Sequence, residues 1–263
     1  MRKSPYTGLW TLLAVALAAF VAASLAPAAD YLPEGMQRAR FWQELTAQPD
    51  TARPEVAETE QPDTTAAEPS RPDTDTIPKN ILFIGDSMLE GLSPRLAAYA
   101  DLNGHKLNTV IWYSSTSEVW GSCDTLSHFI ARFKPDYIFV CLGSNELFVR
   151  DIAAKRAHCV DHILSQMGDI PYVWIGPPNW KPDTGINRLV SSMAAPGTYF
   201  MSEGMQFDRT KDGAHPTRNS AALWMDSVAR WMPLHCAHPI LMETPPTEKR
   251  GKPASIILLQ PAK

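Results

Sequence analysis

The sequence predicts an α/β domain in which a parallel β-sheet carries helices on both faces. Three observations support that fold class. Short apolar runs alternate with helix-length segments from Asn80 to Trp231. Several of the runs lack the polar alternation of a half-exposed strand, as strands covered on both faces do. Each run ends in glycine, proline or a small polar cluster that turns the chain. Crossovers in such a sheet are right-handed, and ligands sit outside the carboxyl ends of the strands.

The domain is preceded by two segments of different character. Arg2 and Lys3 stand before an apolar stretch from Leu9 to Leu25, the pattern of an export or membrane-insertion signal. Ala and Leu dominate every face of that stretch, which argues against a buried soluble helix. Residues 1–29 are therefore expected to be an uncleaved signal-anchor, with a cleaved signal peptide as the alternative and Ala26, Ala28 and Ala29 as the small residues near a cut. Basic residues stay in the cytoplasm, so the remainder faces outward. This implies a bacterial inner-membrane protein with a periplasmic domain, or a periplasmic or secreted one if the segment is removed. Residues 30–79 read as a linker. A short helix is expected from Met36 to Leu45, and from Ala47 to Pro78 the composition is Pro, Thr, Glu, Asp and Ala. Such a stretch cannot bury enough surface to offset its ordering entropy.

The catalytic domain is expected over 80–235. Strands are predicted at Asn80–Ile84, Asn108–Tyr113, Asp136–Leu142, Tyr172–Ile175 and Thr198–Met201. Helices are predicted at Pro94–Leu102, Thr125–Phe133, Ile152–Met167, Gly185–Met193 and Ser220–Trp231. Residues 236–263 read as an irregular tail, in which Ser255–Leu259 either adds an edge strand or docks on the core. The net charge of −4 comes without a basic stripe, which argues against a nucleic-acid partner. Cys123, Cys141, Cys159 and Cys236 fit no zinc spacing; export allows one disulfide, and Cys141 in its apolar run reads as a small buried hydrophobe. His158 and His162, four apart on a helix, read as a solvated face, and no cofactor or metal is expected.

The chemistry-bearing residues cluster at strand ends. Gly85-Asp86-Ser87 follows the first strand directly, and glycine permits the tight exit. A serine hydroxyl becomes nucleophilic when a base takes its proton. His215, in Asp212-Gly213-Ala214-His215, can be that base. Asp212 in the same turn can hold the far imidazole nitrogen. Gly143-Ser144-Asn145-Glu146 follows the third strand, and the Asn145 amide can donate to an oxyanion.

With those residues in that order, the chain resembles the SGNH, or GDSL-like, hydrolases over about residues 80 to 232. Gly85-Asp86-Ser87 matches the nucleophile block, Gly143-Ser144-Asn145 the oxyanion block, and Asp212 to His215 the acid–base block. Gly176-Pro177-Pro178 is similar to the turn after the fourth strand. The resemblance implies a flavodoxin-like three-layer α/β/α sandwich and metal-free ester hydrolysis or acyl transfer. Two positions depart from the pattern. Glu146 stands where the family has Asp, and the loop Tyr113-Ser114-Ser115-Thr116-Ser117 lacks the family's glycine. The resemblance makes Ser115 the backbone donor that joins Ser87 and Asn145 in the oxyanion hole.

Trp112 and Trp174 read as core. Trp120 and Trp180, with Glu146, are the candidate substrate contacts, because tryptophan faces stack on sugar rings. An outward-facing domain with such rings suggests an acylated carbohydrate as substrate, acetyl being the simplest acyl group. Three functions compete. The first is an exported serine esterase acting on O-acyl carbohydrate. The second is an O-acetyltransferase component working beside a membrane acyltransferase. The third is a glycan-binding module that has lost its chemistry.

Overall fold

The computed structural model describes residues 72–261. The expected membrane-directed segment and most of the expected linker lie outside the described residues. Among the described residues no helix is long and apolar enough to cross a membrane.

Twelve elements follow one another as β1 (Asn80–Gly85), α1 (Leu89–Asn103), β2 (Lys106–Trp112), α2 (Ser117–Gly121), α3 (Thr125–Phe133), β3 (Tyr137–Cys141), α4 (Ile152–Met167), β4 (Tyr172–Ile175), α5 (Ile186–Met193), β5 (Tyr199–Phe200), α6 (Arg218–His235) and β6 (Ser255–Leu259). The six strands form one sheet in the order β5-β4-β3-β1-β2-β6, and every pairing is parallel. This is the predicted parallel α/β architecture. The chain steps outward from β1 to β2, then crosses to β3 on the other side of β1. That reversal opens a crevice at the carboxyl ends of β1 and β3, where ligands bind in open α/β sheets.

Successive strand residues serve two separate cores. Ile81, Phe83, Tyr137, Phe139, Val173 and Ile175 pack with α1 and α6 through Leu92, Leu96, Trp224 and Val228. Leu82, Ile84, Ile138, Val140 and Trp174 pack on the opposite face with Leu126, Val160, Ile163 and Val190. Both faces of the central strands are covered, so the runs are apolar at every position. Gly85 is required at the end of β1: a Cβ there would lie 2.2 Å from the Cys141 carbonyl oxygen.

Several boundaries differ from the sequence reading. Helix α1 starts at Leu89, five residues ahead of Pro94. Its first amides bond the carbonyls of Asp86, Ser87 and Met88, so the helix grows out of the serine turn. Helix α2 was not anticipated; Thr116 caps it by accepting from Val119 N–H at 3.2 Å. Folded structure also begins before residue 80. Asp75 N–H donates to Pro239 O, and Leu241 N–H donates to Asp75 O. The tail is not irregular throughout, because Ser255–Leu259 pairs with β2 as the sheet's edge strand. Arg95, fully buried, holds the segment leading there: its guanidinium donates to Asp226 at 2.7 Å and to the carbonyls of Pro245, Pro246 and Lys249. No disulfide forms among the four cysteines, and Cys141, Cys159 and Cys236 are buried.

Candidate active site

Ser87 sits in the turn between β1 and α1, at the crevice. His215 reaches it from the turn before α6, across 128 residues of sequence, with Nε2 2.8 Å from Ser87 Oγ. On the other side of the ring, His215 Nδ1 lies 2.7 Å from Asp212 Oδ2. An ionised carboxylate can only accept, which fixes the imidazole proton on Nδ1 and leaves Nε2 to accept from the serine hydroxyl. Asp212 is itself held in place: its Oδ1 accepts from Ala214 N–H, His215 N–H and Thr210 Oγ1. These bonds, the one from Ala214 N–H foremost, keep its carboxyl well below the usual carboxylate range.

Asn145 follows β3 and donates one amide hydrogen to Ser115 O at 2.9 Å, leaving the second for a ligand. Ser115 does not offer the donor expected of it. Its N–H closes a turn onto Trp112 O at 3.1 Å, and its side chain is buried where Oγ accepts from Trp120 Nε1. The neighbouring Ser114 is exposed and adopts a left-handed φ of 56°. Among the described residues, neither Ser114 N–H nor Ser87 N–H donates to any acceptor.

Two of the three expected substrate contacts are corrected. Trp120 is fully buried, packed edge-on to Trp112 at 5.3 Å, and presents no face to a ligand. Helix α2 turns it inward. Glu146 is also fully buried; its Oε1 accepts from Ser117 N–H and Ser117 Oγ, tying the loop after β3 to that after β2. Burial pushes its carboxyl up to about 7, against the pull of the Ser117 bonds. Trp180 remains beside the crevice. Its Nε1 donates to Ser144 O at 3.2 Å, and its ring meets the exposed Phe148 edge-on at 5.5 Å. Lys181 Nζ lies 4.5 Å from the Phe148 centroid and 4.9 Å from that of Trp180.

Asp86 is a site residue that sequence reasoning missed. It lies fully buried beneath the serine turn, where Oδ1 accepts from Met88 N–H and Oδ2 from Ser144 Oγ at 2.6 Å. It thus clasps the Ser87 turn to the loop that carries Asn145. Burial raises its carboxyl to about 6, opposed by those two bonds. Its place between Gly85 and Ser87 was the available signal.

No protein-family model matches the sequence, and no curated protein sequence matches it. Several solved structures are similar to it. One is a psychrotrophic esterase, EstA, from Pseudoalteromonas sp., at 17% identity and TM-score 0.40, covering 57% of this chain and 94% of that one. Another is a putative lipolytic protein of the G-D-S-L family from Desulfitobacterium hafniense, at 14% identity and TM-score 0.41, covering 58% and 98%. A third is a family 3 carbohydrate esterase from Clostridium thermocellum, at 18% identity and TM-score 0.43, covering 59% and 94%.

Proposed function

We propose that the protein is a serine-dependent acyl-ester hydrolase of the SGNH type, acting on O-acyl groups of carbohydrate. The observation that carries this reading is the Ser87–His215–Asp212 relay, with Asn145 at the neighbouring strand end. Ser87 Oγ attacks the acyl carbonyl carbon as its proton passes to His215 Nε2. The oxyanion is held by the free Asn145 amide hydrogen and the Ser87 N–H. Ser114 N–H replaces Ser115 N–H as the third donor. Ser114 reaches its left-handed φ without glycine, so the altered loop does not by itself argue for a binding module. The carbonyl reforms as the sugar oxygen leaves with the proton from His215. Water then attacks the acyl-serine with His215 as base and releases the acid. If a sugar hydroxyl attacks instead, the same residues perform O-acyl transfer, and the outward-facing tether expected from the sequence suits such a component beside a membrane acyltransferase. Phe148, Trp180 and Lys181 form an aromatic cluster with a cation, bonded through Trp180 to Ser144 O next to Asn145, which suits the sugar.

The test is hydrolysis of a chromogenic acetyl ester by the full-length chain, with Ser87→Ala as control and a fluorophosphonate to label the serine. Ser87-dependent turnover with labelling at Ser87 is expected. Equal inactivity of both proteins without labelling would remove the catalytic reading. Adding a glycan acceptor then separates transfer, seen as acylated sugar, from hydrolysis, seen as free acid.

A further inference from the structure

A cleft of about 410 Å³ runs between the start of α1 and the edge strand β6. Residues close in sequence to three segments of the proposed active site line it. Leu89 and Glu90 come two and three residues after Ser87, Tyr113 belongs to the loop after β2, and Arg218 comes three residues after His215. Its walls are mainly apolar: Leu89, Ile111, Pro253, Ile256 and Leu258. Three of its polar side chains are already hydrogen-bonded. Ser93 Oγ bonds Thr109 Oγ1 at 2.8 Å, and Tyr113 O–H donates to Glu90 Oε1. Glu90 and Arg218 are exposed and meet solvent at the rim.

The exposure of strand β6 adds a second observation. Ile256 and Leu258 are 47% and 54% exposed on an edge strand. Exposed apolar residues on a sheet edge are a liability that proteins avoid unless the surface has an occupant. Both side chains face the cleft.

Resting on the esterase reading above, we propose that this cleft is the acyl-chain subsite and that the preferred acyl group is a saturated chain longer than acetyl. The alcohol half of a glycan ester is rich in hydroxyls, and against these walls they would lose their hydrogen bonds to water. The sugar has the aromatic cluster at Trp180, bonded to the loop after β3, whereas this cleft lies on the β2–β6 side of the serine turn. An acetyl group would leave most of the cleft empty. Each methylene taken from water into such a cleft is worth about fourfold in affinity when fully buried.

The experiment is the ratio of kcat/KM for p-nitrophenyl hexanoate to that for the acetate, measured on the full-length chain and on Ile256→Thr/Leu258→Thr. We expect a ratio of at least about tenfold in the wild type, falling at least about fivefold in the variant. Circular dichroism shows whether the variant is folded. If it is not, the relative rates at which hexyl and ethyl phosphonates inactivate the wild-type serine decide, with hexyl expected to be faster. A ratio near one, or one unchanged in the folded variant, overturns the acyl-chain subsite while Ser87-dependent acetate hydrolysis leaves the esterase reading standing. No Ser87-dependent turnover of either ester removes both. A wild-type dimer that the variant converts to monomer with an unchanged ratio also overturns the proposal and assigns the β6 face to a second copy of the chain.

Discussion

Glu146→Gln should stabilise the protein by a margin that grows with pH. The Glu146 carboxyl is fully buried, and one of its oxygens, Oε2, has no hydrogen-bond partner among the described residues. Arg156 offers little compensation, with Nε 3.9 Å from Oε1. Burial therefore lifts the carboxyl from its ordinary 4.5 to about 7. The folded state binds this proton more tightly than the unfolded state does. The carboxyl's contribution to stability is thus fully present below about pH 4.5 and is lost as pH rises through about 7. Integrating between those values, the loss from about pH 5 to about pH 8 amounts to about 2 to 3 kcal/mol. Gln keeps the shape and the acceptor for Ser117 but never ionises. The stability difference, variant minus wild type, should increase by that amount over the same range. Asp86, also raised by burial, is common to both proteins and drops out to first order. Urea unfolding followed by near-ultraviolet circular dichroism at a series of pH values measures the difference. A difference flat to within about 0.5 kcal/mol would refute the argument that an uncompensated charge is buried there.

Two further outcomes follow from the geometry of Asn145 and Arg95. Asn145→Ala should lower kcat about 100- to 1,000-fold with little change in KM, because the lost amide donates to charge that develops only in the transition state. A fall confined to KM would place Asn145 in ground-state binding instead. Arg95→Ala should destabilise the protein by about 3 to 5 kcal/mol in urea, since it strands the buried Asp226 carboxylate and frees three carbonyls of the chain before β6. A cost under about 1 kcal/mol would mean that Tyr99 O–H, which also donates to Asp226, compensates the charge alone.

The central strands were legible because burial on both faces leaves apolar runs with sharp ends, as in Tyr172–Ile175 and Tyr137–Cys141. So were the helices with a full amphipathic period, Thr125–Phe133 and Ile152–Met167. The start of α1 was hidden because Pro94 reads as a first-turn proline, whereas the serine turn already supplies carbonyls for the earlier amides. Helix α2 has five residues, too few to show a period, and without it Trp120 reads as a ring free to stack. At the candidate site, residue identity and strand ends pointed to Ser87, Asn145, Asp212 and His215, which the fold brings to one crevice. The Ser115 donor failed because which amide a turn consumes depends on backbone dihedrals, not on the side chains that a sequence displays. Asp86 was overlooked because a carboxylate beside a nucleophile reads as solvated until its burial is known.

The β2–β6 pairing also has a consequence for how the molecule is made. Ser255 meets Asn108 across 147 residues. At a synthesis rate of roughly 5 to 20 residues per second, the outer edge of β2 waits roughly 7 to 30 seconds for its partner to emerge. During that interval β2 presents unpaired amides and carbonyls, and the Tyr113 N–H that will donate to Leu259 O is unclaimed. The loop after β2, which carries Ser114, is therefore anchored late, after the serine turn and the β1–β3 crevice already exist. The nascent chain has greatest need of a chaperone while that edge is open.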